Sequence, residues 1–261
     1  MRAEEGVDGM LAEERMAAVL AVVERQGAAS VAQLCQATGA SEATIRRDLA
    51  QLHQQGRLNK VHGGAMALGG NFSSEEPDLT TKAQLHVEEK EAIGRYASTL
   101  VHDDDFVFLD AGTTVLAMAN HLGASQASFV TTSIACAKRL SELGRRVTVV
   151  GGQLKLGTQA IIGAEALAFL ERYHFTKAFL GANGVAVQQG CTTPDPEEAA
   201  VKRKAADQAY MAYVLADASK FGQVAAVSIR PLEKTCVITE RLPDDRFRGR
   251  GIIKEVWGER T

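Results

Sequence analysis

The sequence predicts an α/β protein in two parts, a small helical part followed by a larger part with a mainly parallel sheet. Its length of 261 residues favours two domains, or one large α/β domain with an appendage. Residues 11–55 place apolar side chains at helical spacing in three short groups. Beyond residue 105, continuous apolar runs of strand length alternate with helical segments. Strands that helices join in this way form a sheet covered on both faces.

The composition is that of an ordinary globular protein, with 46% hydrophobic and 23% charged residues. No apolar run reaches the roughly 18–20 residues that span a bilayer, and the N-terminus lacks the pattern of a signal peptide. We therefore expect a cytoplasmic protein with no membrane partner. The cysteines are far apart and form no C-x-x-C, so neither a disulfide set nor a metal site is expected. They are Cys35, Cys136, Cys191 and Cys236.

The first domain is expected to contain three helices and a hairpin. Gly27 and Gly39 interrupt the helical pattern, and residues 57–62 then alternate before two glycines. Residues 66–81 contain Gly, Ser, acidic residues and a Pro, without a lasting period. The predicted division is a domain over 10–65, a linker over 66–81 and a second domain over 82–261.

Residues 31–55 have the layout of a helix-turn-helix. A short helix is followed by a turn at Gly39 and by a second helix that Ser41 can cap. Ile45, Leu49 and Leu52 share the face that packs on the domain, and the opposite face is polar. Such a helix can enter the major groove of DNA. The candidate DNA contacts on this helix and the hairpin are Ser41, Thr44, Arg46, Arg47, Gln51, Arg57, Lys60 and His62.

The charge of the chain can be interpreted in two ways. A net charge of −3 argues against a nucleic-acid partner, and a solvated surface helix with two arginines would show the same pattern. The local balance is different, because residues 40–64 contain four basic and two acidic side chains. We therefore predict that this segment binds double-stranded DNA.

Hydroxyl-rich turns follow two neighbouring strands of the second domain. The strand at 106–110 runs into Gly112, Thr113 and Thr114, and the strand at 128–132 runs into Ser133. Because parallel strands end at one edge of the sheet, the turns predict one shared anionic or sugar-like ligand. Tight packing between strand and helix would explain each turn alone. No dinucleotide or P-loop motif is present, so no cofactor is expected.

Two groups of residues resemble the DeoR family of bacterial transcriptional regulators. The run 41–49 (SEATIRRDL), closed by 60–65 (KVHGGA), is similar to the signature of their winged helix-turn-helix. Later elements follow the family order D-x-G-T-T, V-T-[NT]-S, G-G, G-x-x-G and D-x-S-K-F-G, so the resemblance covers about residues 11–240. It implies a winged helix-turn-helix followed by an effector domain that resembles ribose-5-phosphate isomerase and senses a phosphorylated sugar. Family members usually begin near Met10. Met1–Gly9 is therefore expected to be a disordered extension or the result of an alternative start.

The residues that these turns and motifs single out form one candidate effector site. Lys220 follows a strand and can supply a positive charge at the same sheet edge. Thr132 and Glu240 depart from the family pattern, which usually has Asn and Asp there, and the first departure changes the hydrogen-bonding group at its turn. The candidate effector-binding residues are Asp110, Gly112, Thr113, Thr114, Thr131, Thr132, Ser133, Gly151, Gly152, Gly181, Asn183 and Lys220.

These observations favour a ligand-responsive repressor of a carbohydrate-utilisation operon. The first domain would bind operator DNA, and the second would bind a phosphorylated sugar or hexitol and assemble a homo-oligomer. A dimer or tetramer is expected because helix-turn-helix proteins read repeated half-sites. Two alternatives stay open. One is a sugar-phosphate isomerase-like enzyme, although residues 189–195 lack the lysine- and glycine-rich stretch of such isomerases. The other is a scaffold module that does not bind DNA.

Overall fold

The computed structural model describes residues 11–55, 57–61, 63–67, 72–73, 78–243 and 245–257. The chain forms two compact units, Met1–Asn71 and Phe72–Thr261, called here the first and second unit. Regular structure occupies both ends of the expected linker over 66–81, since a strand runs to Ala67 and a helix begins at Leu79. The expected extension Met1–Gly9 lies outside the described residues.

The first unit is a winged helix-turn-helix, as predicted. Its helices are α1 (Ala12–Gln26), α2 (Val31–Thr38) and α3 (Glu42–Gln54). Its strands are β1 (Ala28–Ser30), β2 (Leu58–Val61) and β3 (Gly64–Ala67), which form an antiparallel sheet in the order β1-β3-β2. The hairpin of β2 and β3 is the predicted one. Strand β1 was not predicted, because three residues are too few to show a period.

Local contacts explain where α2 begins and which face of α3 is buried. The Ser30 hydroxyl accepts a hydrogen bond from the Gln33 amide, and the Gln33 side chain accepts one from the Ser30 amide, which is a capping box. Ile45, Leu49 and Leu52 are at most 1% exposed and pack α3 on the rest of the unit, as predicted. The polar face of α3 is therefore left facing solvent.

Gly64 is required by a close approach of two strands. A Cβ atom on this residue would lie 2.3 Å from the carbonyl oxygen of Ala29 in β1. We expect Gly64→Ala to lower the free energy of unfolding of the first unit by about 1–3 kcal/mol, because β1 and β3 must separate. Thermal denaturation of the full chain, followed by far-UV circular dichroism, measures this loss, because residues 1–71 contain helices but no Phe, Tyr or Trp. Gly123→Ala is the control, since its nearest contact would be an ordinary 3.5 Å; equal stability of both variants would contradict the prediction.

The second unit is built on a parallel seven-stranded sheet in the order β17-β16-β13-β10-β5-β6-β7. These strands are β5 (Phe106–Leu109), β6 (Ser128–Thr131), β7 (Val147–Val149), β10 (Phe175–Gly181), β13 (Ala209–Leu215), β16 (Cys236–Thr239) and β17 (Ile252–Glu255). Six of them match the apolar runs that the sequence shows beyond residue 105, and β17 was not predicted. Those runs are 106–110, 128–132, 147–151, 178–181, 212–216 and 235–239. The helices are α4 (Leu79–Gln84), α5 (Val87–Ser98), α6 (Thr113–Ala119), α7 (Ile134–Glu142), α8 (Ala164–Leu170) and α9 (Pro196–Asp207).

Shorter strands complete the second unit. They are β4 (Phe72–Ser73), β8 (Gln153–Lys155), β9 (Ala160–Ile162), β11 (Gly184–Ala186), β12 (Gly190–Thr193), β14 (Val224–Ala225) and β15 (Val227–Arg230). Strands β8 and β9 form a hairpin, and β4 pairs with β14. Two apolar cores cover the faces of the large sheet, one containing residues of α8 and α9 and the other residues of α5, α6 and α7.

The order of the strands reverses direction between β5 and β10. From β5 the chain proceeds outward through β6 to β7, and from β10 it proceeds the other way through β13 and β16 to β17. In open α/β sheets, such a reversal leaves a crevice outside the carboxyl ends of the two central strands, and ligands bind there. The residues that follow β5 and β10 are therefore placed at the natural binding position of this fold.

Candidate functional site

Helix α3 presents the predicted DNA-contacting side chains. Arg47 and Gln51 are exposed, and Arg46 is exposed beside Glu42, with 3.1 Å between the guanidinium and the carboxylate. The Ser41 hydroxyl accepts a hydrogen bond from the Thr44 amide at 3.3 Å and lies 3.0 Å from the Thr44 hydroxyl. These two hydroxyls therefore stabilise the first turn of α3.

A buried ion pair fixes α3 on α1. Arg15 donates two hydrogen bonds to the two carboxylate oxygens of Asp48, at 2.6 and 3.1 Å. The side chains are 17% and 7% exposed. A bidentate pair of this kind restrains orientation as well as distance. Neither residue was predicted; the signal was an acidic residue beside Leu49 on the apolar face of α3.

The wing carries the remaining predicted DNA contacts. Arg57 precedes β2, Lys60 lies on it, and both are exposed. The His53 ring at the end of α3 lies 3.1 Å from the Leu58 carbonyl oxygen, so the helix and the wing are joined by a side chain as well as by the backbone. His62, the last predicted contact, lies outside the described residues.

A cleft lies at the reversal point of the large sheet. Gly112, Thr113 and Thr114 from the end of β5 line it, together with Gly181 and Asn183 from the end of β10. The backbones approach closely, since a Cβ on Gly112 would lie 3.9 Å from the Gly181 Cα. These five predicted effector residues are thus brought together here, and Lys220 is a sixth.

Asp110 forms a buried ion pair beneath the cleft. Its carboxylate accepts hydrogen bonds from the Lys202 ammonium and, at 2.9 Å, from the Gly181 amide. Asp110 and Lys202 are each 4% exposed at the side chain. Burial raises the pKa of the Asp110 carboxyl, and the charge of Lys202 opposes that rise. The pair joins β5, β10 and α9 at one point.

The cleft is lined by more cations than anions. Its lining lysines are Lys82, Lys90, Lys202 and Lys220, and its lining carboxylate is that of Glu198. Glu198 already accepts hydrogen bonds from Lys155 at 2.9 Å and from Thr158 at 2.6 Å. Burial lowers the pKa of Lys90; Asp217 opposes this shift, and Lys220 and Lys82 add to it. The site therefore has the electrostatic character of an anion-binding site.

The turn at 217–220 holds Lys220 at the cleft. The Asp217 carboxylate accepts a hydrogen bond from the Ser219 amide at 3.1 Å, and Lys220 lies 3.9 Å from the other carboxylate oxygen. That oxygen is buried and has no hydrogen-bond partner among the described residues. Glu240, the residue at the second departure from the family pattern, accepts a hydrogen bond from the Ala218 amide at 3.0 Å.

Besides Asp110, which lies beneath the cleft, five predicted effector residues do not line it. Thr131 donates to the Leu109 carbonyl at 2.6 Å, and the Ser133 hydroxyl caps α7 by accepting from the Cys136 amide at 3.1 Å. Both are buried, as is Thr132. The hydroxyls of Thr131 and Ser133 hold β6 and α7 in place, whereas the buried Thr132 hydroxyl has no hydrogen-bond partner among the described residues. Gly151 and Gly152 also lie outside the cleft lining, and Gly152 packs against the Ile162 carbonyl.

Several residues that line the cleft were not predicted. For two of them, the apolar pattern of their helices indicates a buried position. Lys90 shares a buried face of α5 with Ile93, Gly94 and Ala97, and on α9 Lys202 shares one with Glu198 and Val201. A charged residue at a core-facing helix position is expensive unless it is paired or functional. The other missed residues are Leu79, Lys82, Leu85, Ala111, Thr158, Ala182 and Leu215.

The fold and these two surfaces define a class of protein. A winged helix-turn-helix, joined in one chain to an α/β unit with a cation-lined cleft, is a ligand-responsive transcriptional regulator. The DeoR-like helix-turn-helix domain matches residues 15–69, and the DeoR C terminal sensor domain matches residues 85–241. The chain belongs to the DeoR family, and it is a DNA-binding transcriptional regulator.

Relatives that align with more than nine-tenths of the chain are also named as transcriptional regulators or repressors. The uncharacterized HTH-type transcriptional regulator FruR of Bacillus subtilis is 37% identical over 95% of this chain and 99% of its own. The HTH-type transcriptional repressor GlcR of the same organism is 36% identical over 91% and 92%. The lactose phosphotransferase system repressor of Streptococcus mutans is 31% identical over 92% and 96%. These are names of regulators, and they favour neither the isomerase nor the scaffold alternative.

Among solved structures, ribose 5-phosphate isomerase A from Methanocaldococcus jannaschii aligns with 51% of this chain and 53% of its own. The identity is 18% and the TM-score 0.39. A likeness at this level carries no argument, so the fold assignment depends on the sheet and the family. Within the described residues, no helix is long and apolar enough to span a bilayer, and no His, Cys, Asp and Glu side chains cluster as metal ligands.

Proposed function

We propose that the chain is a cytoplasmic repressor of a carbohydrate-utilisation operon, and that a phosphorylated sugar or hexitol in the cleft controls its binding to operator DNA. The observation that supports an anionic ligand is the excess of lysine over carboxylate side chains around the cleft. Lys82, Lys90 and Lys220 border it with Thr113 and Thr114, which can bind the hydroxyls of a sugar. Relatives named as repressors, one of them of a sugar phosphotransferase system, support the sugar assignment.

The DNA contacts are assigned in the same proposal. Arg47 and Gln51 on α3 read base edges in the major groove, while Ser41, Thr44 and Arg46 approach the phosphates near the start of α3. Arg57 and Lys60 place the wing along the backbone. Because one chain carries one such helix, a dimer or tetramer is needed to read repeated half-sites.

Two titrations test this proposal. Binding of the full chain to its own promoter DNA is measured by fluorescence anisotropy at about 0.1 M salt, where sequence-specific contacts outweigh non-specific ones. Calorimetry then compares a panel of triose, pentose, hexose and hexitol phosphates with the same compounds lacking phosphate. We expect one phosphorylated compound to bind at least about 10-fold tighter than its unphosphorylated form, since hydrogen bonds to charged groups are the stronger ones.

The same compound is expected to change the affinity for promoter DNA. The absence of sequence-specific DNA binding, or equal affinity for a sugar and its phosphate, would overturn the proposal. Turnover of a sugar phosphate by the full chain would instead support the isomerase alternative.

A further inference from the structure

Residues 78–86, called here the strap, cover one side of the cleft. The strap consists of α4 and the residues that lead to α5, and Leu79, Lys82 and Leu85 contribute to the cleft lining. Asp78 caps α4 by accepting a hydrogen bond from the Thr81 amide at 2.7 Å. At its start, the Leu79 amide donates to the Gly157 carbonyl at 3.0 Å, in the turn between β8 and β9.

One buried ammonium holds the other end of the strap. Lys90 on α5 is 6% exposed, and it donates hydrogen bonds to the carbonyl oxygens of Lys82 and, at 2.5 Å, of Leu85. Both acceptors are neutral backbone groups, although Lys90 itself borders the cleft. An ammonium is attracted more strongly by the full negative charge of an anion than by the partial charge of a carbonyl oxygen. An anion in the cleft therefore competes with the strap for Lys90.

The strap lies on the covalent path from the first unit. Ala67 ends the last strand of the winged helix-turn-helix, and Asp78 is 11 positions further along the chain. Between them, β4 pairs with β14, which begins at Val224, close in sequence to Lys220. Both attachments of the incoming chain thus involve elements that border the cleft or adjoin its lining.

We propose that Lys90 is the residue through which a ligand in the cleft controls the strap. The ligand's anionic group takes hydrogen bonds that Lys90 otherwise gives to Lys82 and Leu85, and the strap loosens. Because the strap continues into the chain that carries the DNA-binding unit, operator affinity changes with it. This inference rests on the proposed function, since it assigns the regulation of the same cleft.

Hydrogen exchange of the whole chain tests whether Lys90 holds the strap. The variant is Lys90→Met, which removes the ammonium and retains an unbranched side chain. Amides at 80–88 are followed without ligand, with inorganic phosphate, and with the tightest binder of the sugar-phosphate panel. In the wild type we expect ligand to speed exchange at these amides at least about threefold. In Lys90→Met we expect the faster exchange without ligand, and operator affinity that no longer responds to ligand.

Three further variants keep the test decisive. Lys138→Met, on the exposed face of α7, is the matched control and should leave strap exchange and ligand response unchanged. If Lys90→Met does not fold, Asp78→Ala replaces it, because loss of the cap loosens α4 without removing a side chain that lines the cleft. Asp78→Asn retains the cap. Asp78→Ala should shift ligand-free operator affinity towards the ligand-bound value.

Each contrary result has a distinct meaning. Ligand binding to the wild type without a change in strap exchange overturns this inference and leaves the proposed function intact. Wild-type strap exchange in ligand-free Lys90→Met has the same consequence. Failure of every sugar phosphate and of inorganic phosphate to bind the wild type overturns the proposed function, and ligand control of the strap with it.

Discussion

Lys202→Met is expected to lower the free energy of unfolding of the second unit by about 3–5 kcal/mol, which is a large part of the stability of a domain. The Asp110 carboxylate is buried, and the Lys202 ammonium is its only cationic partner among the hydrogen bonds of the described residues. Removing the ammonium leaves a buried charge without compensation. Chemical denaturation of the full chain, followed by far-UV circular dichroism, measures the loss.

The pH dependence of this variant identifies the mechanism. Burial already raises the pKa of Asp110 in the folded protein, and loss of Lys202 raises it further. A folded carboxyl with a raised pKa binds protons more readily than the unfolded one, so lower pH favours the folded variant. The deficit relative to the wild type should therefore shrink as the pH falls from 8 to 5. Adding Asp110→Asn should recover part of the lost stability at pH 8, because it removes the buried charge.

A surface lysine of the same helix serves as the control. Lys204 on α9 lies 3.0 Å from Glu171, and these side chains are 29% and 69% exposed. Lys204→Met should change stability by no more than about 1 kcal/mol, since exposed pairs contribute little. A loss as large as that of Lys202→Met would mean that a lysine on α9 stabilises through its helix and not through Asp110.

The parts of the fold that could be predicted are those with a strong pattern. Val107, Phe108 and Leu109 of strand β5 are all fully buried. Both faces of the strand therefore require apolar residues, and the sequence there is a continuous apolar run. Strand β17 lies at an edge, is only half-buried and contains Lys254 and Glu255. Helix α4 buries no side chain. Without burial there is no period to detect, and these elements were missed.

The candidate site could be predicted only in part, for a related reason. Thr113 follows β5 and Thr131 ends the neighbouring strand β6, but Thr113 lines the cleft and Thr131 donates to the Leu109 carbonyl. A hydroxyl serves either purpose, and sequence does not show its direction. Lys90 and Lys202 meet the cleft because helices distant in sequence pack beside the same strand ends. That juxtaposition depends on the order of the strands in the sheet.

Arg47→Ala is expected to weaken binding to promoter DNA by about 10- to 100-fold, the cost of one bidentate contact to a base. Arg47 is exposed on α3, opposite the face through which Ile45 and Leu49 pack. It makes no ion pair with the part of the chain that the structure describes, so its removal leaves no buried group unsatisfied. Stability, oligomeric state and ligand binding should therefore stay unchanged, and anisotropy with promoter and scrambled DNA measures the loss.

Salt dependence and two matched variants separate the roles of this arginine. If Arg47 reads a base, binding to scrambled DNA stays the same and the slope of log K against log salt is retained, whereas a phosphate contact reduces that slope by about one. Arg47→Lys keeps the positive charge but lacks the planar guanidinium group that donates two parallel hydrogen bonds. It should therefore lose nearly as much specific binding as Arg47→Ala. Arg25→Ala, on the exposed face of α1, is the control for loss of a positive charge in the same unit. Joint loss of DNA binding, oligomerisation and ligand binding in Arg47→Ala would contradict the base-reading role and make the residue structural.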